Sequence, residues 1–348
     1  MTVVLGLLSV FCATIPILVF LMLVWWMDRH DREPLWLFGL TFMWGAIGSI
    51  FLALIGSTIL MMPLTWVFGQ EFTDTYSAVI VAPLTEEPMK ALILFAVMFS
   101  RHFDNASDGF VYGAAAGLGF GMTENFLYFL DVASSGDAFT WIQTVVIRTL
   151  FSAVMHACAT SWVGATLGWA RFRGLFPKLI ALPIAFGVAM GIHALWNGLL
   201  TLDQVMQTDS FSRANFVLFP IEAVVLFGVF QLTLLEERAT IRRELADEVQ
   251  QGLMPLAHAS AIASYFKRSS RDWVPPGVPH WPYVRAATTL AMRKHQCRNA
   301  SRRAYRFYSE DVLRLRREVQ GLLKLEKKPS AASGHPRSAM RGQPGDAD

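Results

Sequence analysis

Seven long apolar runs constrain the fold of this 348-residue chain more than any other feature. A helix needs about 20 apolar residues to cross the hydrocarbon core of a bilayer, and each run reaches that length. The runs cover residues 2–26, 36–62, 77–99, 109–130, 141–169, 179–201 and 214–235. We therefore predict an all-α fold, a polytopic membrane helix bundle of about seven transmembrane helices with a helical C-terminal tail.

Composition excludes a simple soluble enzyme. Only 16 % of the residues are charged, whereas soluble domains carry nearer a quarter. The first run has no basic residue before it and is too long for the core of a signal peptide, so we expect a retained helix. The three cysteines lie far apart and form no CxxC pair, so neither a disulfide framework nor a cysteine metal site is indicated.

The charges divide the chain into two parts. Residues 1–235 contain 9 Lys and Arg against 15 Asp and Glu, whereas residues 236–348 contain 21 against 12. We predict a membrane domain over 1–235, a basic helical cytoplasmic tail over 236–325 and a disordered C-terminus over 326–348. Basic residues near an inner membrane surface gain about 1 kcal/mol each from anionic headgroups, so lipid is the expected partner of the tail. No recognised motif accompanies the charge, so nucleic acid is not expected.

Within the tail, a Pro-rich break at 273–283 is predicted to separate the continuation of the last membrane helix from a second basic helix. In that second helix Val312, Leu315, Val319 and Leu322 recur at helical spacing, which gives one apolar stripe that should pack on a neighbour.

Basic residues in the short loops set the predicted orientation. They occur in the first, third and fifth loops, at Arg29, Arg32, Arg101, Arg171, Arg173 and Lys178. The sequence therefore predicts a multi-pass protein of the cell membrane with its N-terminus outside and its C-terminus in the cytoplasm.

Ionisable groups inside the apolar runs are the candidate functional residues, since each costs about 2.5–3.5 kcal/mol in a membrane helix. Four predicted helices carry them with neighbouring polar groups: Glu86, Glu87 and Lys90; Glu124 and Asn125; Arg148 and His156; His193 and Asn197.

Spacing indicates which of these groups share a helix face. Lys90 follows Glu86 by four residues and Glu87 by three, so it can pair with either carboxylate, and His193 and Asn197 could hold one oxygen between them. The glycines at 113, 117 and 121 form a GxxxGxxxG face that permits close helix packing, and helical phase turns Glu124 towards it. Estimated depths favour one polar pocket reached from the extracytoplasmic side.

Glu, His and Asn side chains together can hydrolyse a peptide bond. Without a metal, Glu86 would activate the water, His193 and Asn197 would stabilise the oxyanion, and His156 would orient the water. With a metal, zinc would be held by His156, His193 and Glu86, which is a set of three protein ligands with an open position. No HExxH motif is present, so no ligand spacing supports the metal mechanism. The residue types allow both mechanisms.

Other classes explain the same residues. The ExxK pairs could be internal ion pairs that close a bundle, each histidine an interhelical hydrogen-bonding residue, and Arg148 a structural partner of a carboxylate. A proton- or ion-coupled transporter could use Glu86, Lys90, Glu124 and His193 as a relay, although no second EExxK segment indicates an internal repeat. A scaffold could use the tail to gather partners.

Together these motifs resemble the PrsW-type intramembrane proteases, which are distantly related to the type II CAAX prenyl endopeptidases. The resemblance spans roughly residues 15–235 and is carried by Glu86-Glu87-x-x-Lys90, Asp108-Gly109, Tyr112-Gly113, Gly119-Phe120, Glu124-Asn125-x-x-Tyr128, His156 and His193-Ala-Leu-Trp-Asn197-Gly198.

The resemblance implies site-1-type cleavage of a single-pass membrane protein, such as an anti-sigma factor, near its extracytoplasmic side, and so a role in signalling. It assigns catalytic roles to Glu86, Glu87, His156, His193 and Asn197. Supporting roles fall to Lys90, Glu124, Asn125 and Arg148. The domain at 1–235 would then be the protease domain.

Overall fold

The computed structural model describes residues 1–28, 33–100, 102–208, 210–299 and 302–324. Every regular element among these residues is a helix, which confirms the all-α prediction. The loop residues Arg29, Arg32 and Arg101, on which the predicted orientation partly rests, and the C-terminus at 326–348 lie outside the described residues.

Twelve α-helices follow one another along the described chain. Their bounds are α1 Thr2–Met27, α2 Leu35–Met43, α3 Ile50–Phe68, α4 Gln70–Val97, α5 Ala106–Ser135, α6 Ala138–Ile147, α7 Ala153–Arg171, α8 Leu175–Met206, α9 Ser210–Gln250, α10 Leu256–Ala263, α11 His280–Asn299 and α12 Arg302–Lys324. A π-helical segment at Trp44–Ser49 joins α2 to α3, and a second at Arg148–Ser152 joins α6 to α7.

Six of the seven predicted apolar runs lie within one continuous helical stretch each, and the run at 77–99 extends two residues past the end of α4 at Val97. Within the described chain, five stretches are long and apolar enough to cross a membrane, namely Thr2–Met27, Leu35–Phe68, Ala138–Arg171, Leu175–Met206 and Arg213–Gln250. Helices α4 and α5 are outside this set because they carry the charged groups and many small residues. The count of seven transmembrane helices therefore stays a prediction at α4 and α5.

Helix α5 lies at the centre of the bundle and packs on α7 through its glycines, as the GxxxGxxxG pattern predicted. A Cβ atom on Gly113 would lie 2.5 Å from the carbonyl oxygen of Thr160, and one on Gly117 would lie 2.3 Å from that of His156. Only hydrogen fits in these spaces, so the glycines set the distance between the two backbones. The same contact fixes the position of His156 beside α5.

The remaining faces of α5 pack on α1, α2 and α9. An apolar core that includes Ile17, Phe38, Phe110 and Phe230 joins these helices. At the start of α5 the side chain of Asn105 accepts hydrogen bonds from two backbone N–H groups of the first turn, which satisfies donors that the helix itself leaves unpaired. Helix α5 is consequently held on several sides and can position polar groups rigidly.

The tail has a hydrophobic core of its own. Helix α9 continues without interruption from the bundle into the tail, and its C-terminal part packs with α10, α11 and α12 around residues that include Leu245, Tyr283 and Leu290. The predicted stripe of Val312, Leu315, Val319 and Leu322 packs against this core, which confirms the stripe. The division into three domains remains our interpretation.

The helices of the tail differ in number from the sequence prediction. The continuation of α9 ends at Gln250, well before 273–283, because Gly252 adopts a φ of 74° and Pro255 starts a new helix. The expected second basic helix is two helices, α11 and α12. Helix α9 therefore ends at the turn that contains Gly252 and Pro255, and not at the Pro-rich segment.

Buried ion pairs join the tail to the bundle. Arg293 on α11 contacts Asp104 at 3.1 Å, in the loop between α4 and α5, and Gln296 donates a hydrogen bond to the same carboxylate. Within the tail Arg268 contacts Glu237 at 2.6 Å, and Ser107 of α5 donates a hydrogen bond to the same carboxylate at 3.4 Å. These contacts hold the tail against the end of the bundle at which α4 ends and α5 begins.

Candidate active site

Helix α4 places two adjacent glutamates in different surroundings. The ammonium of Lys90 lies 2.7 Å from Glu87 Oε1 but 3.8 Å from Glu86 Oε2, so only Glu87 is hydrogen bonded to it. Lys90 is fully buried and Glu87 is 1 % exposed, whereas Glu86 is 14 % exposed. The sequence did not indicate which of the two carboxylates pairs with Lys90. In the structure the partner is Glu87.

His156 on α7 links this pair to α5. Lys90 Nζ donates to His156 Nδ1 at 2.9 Å, and His156 Nε2 lies 2.7 Å from Glu124 Oε2. An ammonium has no acceptor, so Nδ1 carries the lone pair and Nε2 carries the proton that is donated to Glu124. The tautomer of His156 is therefore fixed by its two neighbours.

His193 on α8 contacts both glutamates of α4. Its Nδ1 lies 2.8 Å from Glu87 Oε1, and its Nε2 lies 3.8 Å from Glu86 Oε2. The rings of His193 and His156 are perpendicular with their centroids 5.1 Å apart. Because the Glu87 carboxylate accepts the Nδ1 proton, the Nε2 atom of His193 is turned towards Glu86.

Glu86 is the carboxylate of the cluster that makes no hydrogen bond within the described part of the chain. Its buried Oε2 has no partner, whereas Glu87, whose Oε2 is also unpartnered, accepts hydrogen bonds from Lys90 and His193 with its Oε1. A buried carboxylate oxygen without a partner costs free energy, and such atoms in native structures concentrate at catalytic and ligand-binding sites. The geometry therefore singles out Glu86, rather than Glu87, as the group that can act on a substrate or a water.

A second cation completes the cluster from the opposite side. Arg148 contacts Glu124 Oε2 at 2.7 Å, and its Nε donates to Asn125 Oδ1 at 3.1 Å. The guanidinium lies 3.6 Å from the centroid of the Tyr128 ring. Arg148 begins the π-helical segment that precedes α7, and π-bulges inside α-helices frequently occur at functional sites. All the supporting residues expected from the sequence are thus joined to Glu124 or Lys90.

Two aromatic rings were not among the candidate residues. Phe120 lies under the ammonium of Lys90 at 4.1 Å and within 5.1 Å of the His156 ring, and Tyr128 lies under Arg148. Cation–π contacts of this kind stabilise a buried charge without adding a proton acceptor. Both residues stand in motifs that carry the family resemblance, Gly119-Phe120 and Glu124-Asn125-x-x-Tyr128, and this was the available signal for them.

Asn197 does not occupy the position expected for it. Its Nδ2 donates to the carbonyl oxygen of Ala78 at 2.7 Å, more than two turns before Glu86 on α4. The expectation that Asn197 and His193 hold one oxygen between them is not observed in this state, because the amide ties α8 to α4 instead. An amide has two N–H donors, so this bond engages one of them.

The cluster fits a divalent metal ion by donor type and spacing. Glu86, His156 and His193 each offer one ligand atom, and these atoms lie within 4.8 Å of one another. Two imidazoles and a carboxylate form a known three-ligand set for zinc. Glu86 Oε2 is free to ligate, whereas His156 would have to give up its contact with Lys90 or Glu124 to do so.

Comparisons with known proteins agree with this arrangement. Residues 33–230, more than half of the chain, match the PrsW family intramembrane metalloproteases. The chain is 29 % identical to Protease PrsW of Clostridioides difficile over 163 residues, which are 47 % of this chain and 66 % of that protein. It is 26 % identical to Protease PrsW of Bacillus subtilis over 178 residues, or 50 % of this chain and 74 % of that protein.

The Protease PrsW of Geobacillus kaustophilus is 24 % identical over 210 residues, or 55 % of this chain and 87 % of that protein. No solved structure matches the chain. The matches favour a peptidase over the transporter alternative, and all four residue groups of the cluster lie inside the matched range. The chain is a multi-pass membrane protein that belongs to the PrsW family of intramembrane peptidases.

Proposed function

We propose that this chain is an intramembrane endopeptidase that cleaves single-pass membrane proteins of the anti-sigma-factor type near their extracytoplasmic side. The observation that carries the proposal is the buried Glu86 Oε2, which makes no hydrogen bond while every other charged group of the cluster does. An uncommitted carboxylate among fixed donors is what a general base for water requires.

In the proposed reaction Glu86 removes a proton from water as the water attacks the scissile carbonyl. His193 Nε2 donates to the oxyanion, and Glu87 compensates the charge of the imidazolium that this requires. The proton taken up by Glu86 then passes to the leaving amine. Asn197 would add a second donor once a substrate displaces it from Ala78.

The charge arrangement of the cluster supports this reaction. The cations Lys90 and Arg148 face the three carboxylates Glu86, Glu87 and Glu124, and His193 lies against two of these carboxylates. Close pairing offsets the free energy of holding ions in a low-dielectric interior. His156 stays neutral because Lys90 donates to it, so its role is to position Glu124 and orient the water.

If a metal is resident, Glu86, His156 and His193 would hold it and it would polarise water or the scissile carbonyl as a Lewis acid. Lys90 and Glu87 would then position His156 and His193 through the contacts described above. The orientation we propose follows the positive-inside rule, with the tail in the cytoplasm, where its basic residues face anionic headgroups.

The proposal is tested with purified full-length protein co-reconstituted in liposomes with a tagged single-pass substrate. We expect Glu86→Gln to lower the cleavage rate by at least about 10²-fold, the usual loss for a general base. Glu71→Gln is the matched control, because Glu71 lies exposed in the first turn of the same helix. Undiminished cleavage by Glu86→Gln would contradict the assignment. Mass spectrometry of the products locates the scissile bond.

A chelator arm separates the two mechanisms. Loss of cleavage with 1,10-phenanthroline, restored by added zinc, supports the metal mechanism, for which Glu86, His156 and His193 are the proposed ligands. Full cleavage in the presence of the chelator supports the metal-free mechanism, with Glu86 as the general base. Protease protection of the tail in sealed liposomes reports the orientation in the same preparation.

A further inference from the structure

Two cavities meet where the bundle joins the tail. The first, of about 640 Å³, lies between the ends of α7, α8 and α9 and is lined mainly by apolar side chains that include Trp162, Ile180, Ala181 and Leu232. The second, of about 550 Å³, lies between the bundle and the tail and is lined by charged and polar side chains. Ala106, Trp169, Arg173 and Glu236 line both cavities, so the two cavities adjoin at these residues and together offer an amphipathic space with an apolar and a polar end.

The polar cavity presents arginines while it buries carboxylates. The side chains of Arg173, Arg243 and Arg298 are 45 %, 57 % and 51 % exposed. Their partners are less accessible, since Glu236 is 33 % exposed, Asp247 is 41 % exposed and Glu244 is fully buried. A ligand that enters this cavity therefore meets guanidinium groups first, and guanidinium is the side chain that binds phosphate in a bidentate manner.

His295 also lines the polar cavity, and its pKa reflects the positive charge of the surrounding arginines. His295 lies on α11, and its ring contacts the ring of Phe172. Burial, together with the adjacent charges of Arg243, Arg173 and Arg298, lowers the pKa of His295 to about 4. An imidazole that stays neutral for this reason adds no competing charge and leaves the arginines as the cationic groups of the cavity.

We propose that this space binds one anionic glycerophospholipid, with an acyl chain in the groove between α8 and α9 and the phosphate among Arg173, Arg243 and Arg298. Both cavities are of the size of small-molecule sites, about 300–1,000 Å³. The polar end is bounded by α9 and α11 of the tail, so an amphiphile with one charged head fits it better than a helix about 10–12 Å wide that continues past it. Trp169 lies at the junction, where tryptophan commonly marks the interface of a membrane.

The lipid would act as a joint between the two regions. Arg173 belongs to the link between α7 and α8, whereas Arg243 and Arg298 belong to the tail. A phosphate that contacts all three stabilises the docked tail only when the bundle lies in a membrane with anionic lipid. The site thus gives the basic tail a specific ligand and not only a diffuse attraction to the surface.

Native mass spectrometry of the full-length protein in detergent tests the proposal, with phosphatidylglycerol, phosphatidylcholine or inorganic phosphate added separately. We expect one phosphatidylglycerol to be retained in preference to phosphatidylcholine. Arg173→Gln with Arg243→Gln should weaken that binding by about fivefold for each arginine removed. Glu244 keeps Arg298 as a partner at 3.0 Å and Glu236 is partly solvated, so neither carboxylate is left buried and alone.

A second variant tests the apolar end independently. Ala181→Phe fills the groove and should reduce retention of phosphatidylglycerol at least tenfold, whereas Gly187→Phe on the same helix should not, because nothing lies within 4 Å of its Cβ position. Equal retention of both lipids, or unchanged retention in all variants, overturns the proposal. Displacement of the lipid by inorganic phosphate, or by a single-pass helix peptide, also overturns it by assigning the space to a free anion or to polypeptide.

Discussion

The chain buries clusters of Glu, Lys and Arg in the bundle and in the tail, and one carboxylate of the tail, Glu248, is paired more completely than Glu86 of the bundle. In the tail, Glu248 accepts from Arg316 with both of its carboxylate oxygens, at 2.7 and 2.9 Å, and Lys294 contacts Oε1 at 2.7 Å. In the bundle, Glu86 and Glu87 each keep one oxygen without a hydrogen bond within the described residues.

The difference separates a structural carboxylate from a candidate reactive one. A satisfied network rigidifies a fold, whereas an unsatisfied buried group is retained against its cost only if it does something else. The residue types are the same in both regions, so composition alone does not distinguish them. Buried atoms without a hydrogen bond also occur in the tail, at Glu244 and Arg268, so the contrast lies between Glu86, which makes no hydrogen bond within the described residues, and Glu248, which is paired at both oxygens. The variants below perturb each region in turn.

The largest effects are expected from removing the lysine of each cluster. Lys90→Met removes the donor to Glu87 and His156, so we expect a loss of about 3–5 kcal/mol of stability and of at least 10²-fold in cleavage. Lys294→Met should cost about 1–3 kcal/mol and leave cleavage intact, because Arg316 still binds Glu248. Thermal unfolding in detergent and the liposome assay measure the two quantities. A tail variant that abolished cleavage while folded would undermine the distinction.

Next in size is the effect of widening the contact between α5 and α7. Gly117→Ala places a methyl group 2.3 Å from the carbonyl of His156, so α7 must shift, at a cost of about 1–3 kcal/mol and with a reduced cleavage rate. Gly191→Ala on α8 is the control, because nothing lies within 4 Å of its Cβ position although it is two residues from His193. Equal rates in both variants would show that the glycine contact does not position His156.

A smaller effect is expected from Arg316→Gln in the tail. Burial raises the pKa of Glu248, but hydrogen bonds from Arg316 and Lys294 lower it below its usual range. A carboxyl group whose pKa is lower in the folded than in the unfolded state stabilises the fold at pH values above its unfolded-state pKa. This stabilisation is lost as the pH falls through the folded-state pKa. The variant should therefore cost about 1 kcal/mol at pH 7 and less in acid, measured by unfolding at both pH values. A pH-independent cost would argue against an ionic contribution.

The smallest effect concerns His295. Burial and three arginines lower its pKa to about 4, against about 6.5 in an unfolded chain. Between these values the unfolded state binds more protons, so stability falls as the pH drops from about 6.5 towards 4. His295→Phe keeps a ring against Phe172 and should remove this part of the decline in the unfolding midpoint. An identical pH profile in both proteins would show that another group is responsible.

Most of the fold follows from the sequence because apolar length is a direct requirement of the bilayer. The runs at 2–26 and 141–169 lie within stretches that the structure describes as Thr2–Met27 and Ala138–Arg171. The helices of the tail were harder to predict. Helix α10 is only eight residues long, and the φ of 74° at Gly252, which ends the preceding helix, is a local backbone conformation that apolar periodicity does not indicate. The predicted stripe on α12 succeeded because four residues repeat at one helical face.

Helical spacing anticipated part of the candidate site. It indicated that Lys90 pairs with a neighbouring glutamate and that Glu124 faces the packed interior. It did not choose between Glu86 and Glu87, because that depends on where α8 places His193. The contact of Asn197 with Ala78 likewise depends on the lateral offset of two helices, which a single sequence does not contain. The catalytic roles remain proposals.

The π-helical segment at Arg148–Ser152 has a consequence for how this protein can vary. A π-bulge amounts to one extra residue in an α-helix and rotates everything beyond it by about 100°. The surface of α6 that meets α1 and the surface of α7 that meets α5 are therefore out of phase with each other. Deleting a single residue here would regularise the helix and turn His156 away from Glu124, so an insertion or deletion, without any substitution, could switch the cluster on or off.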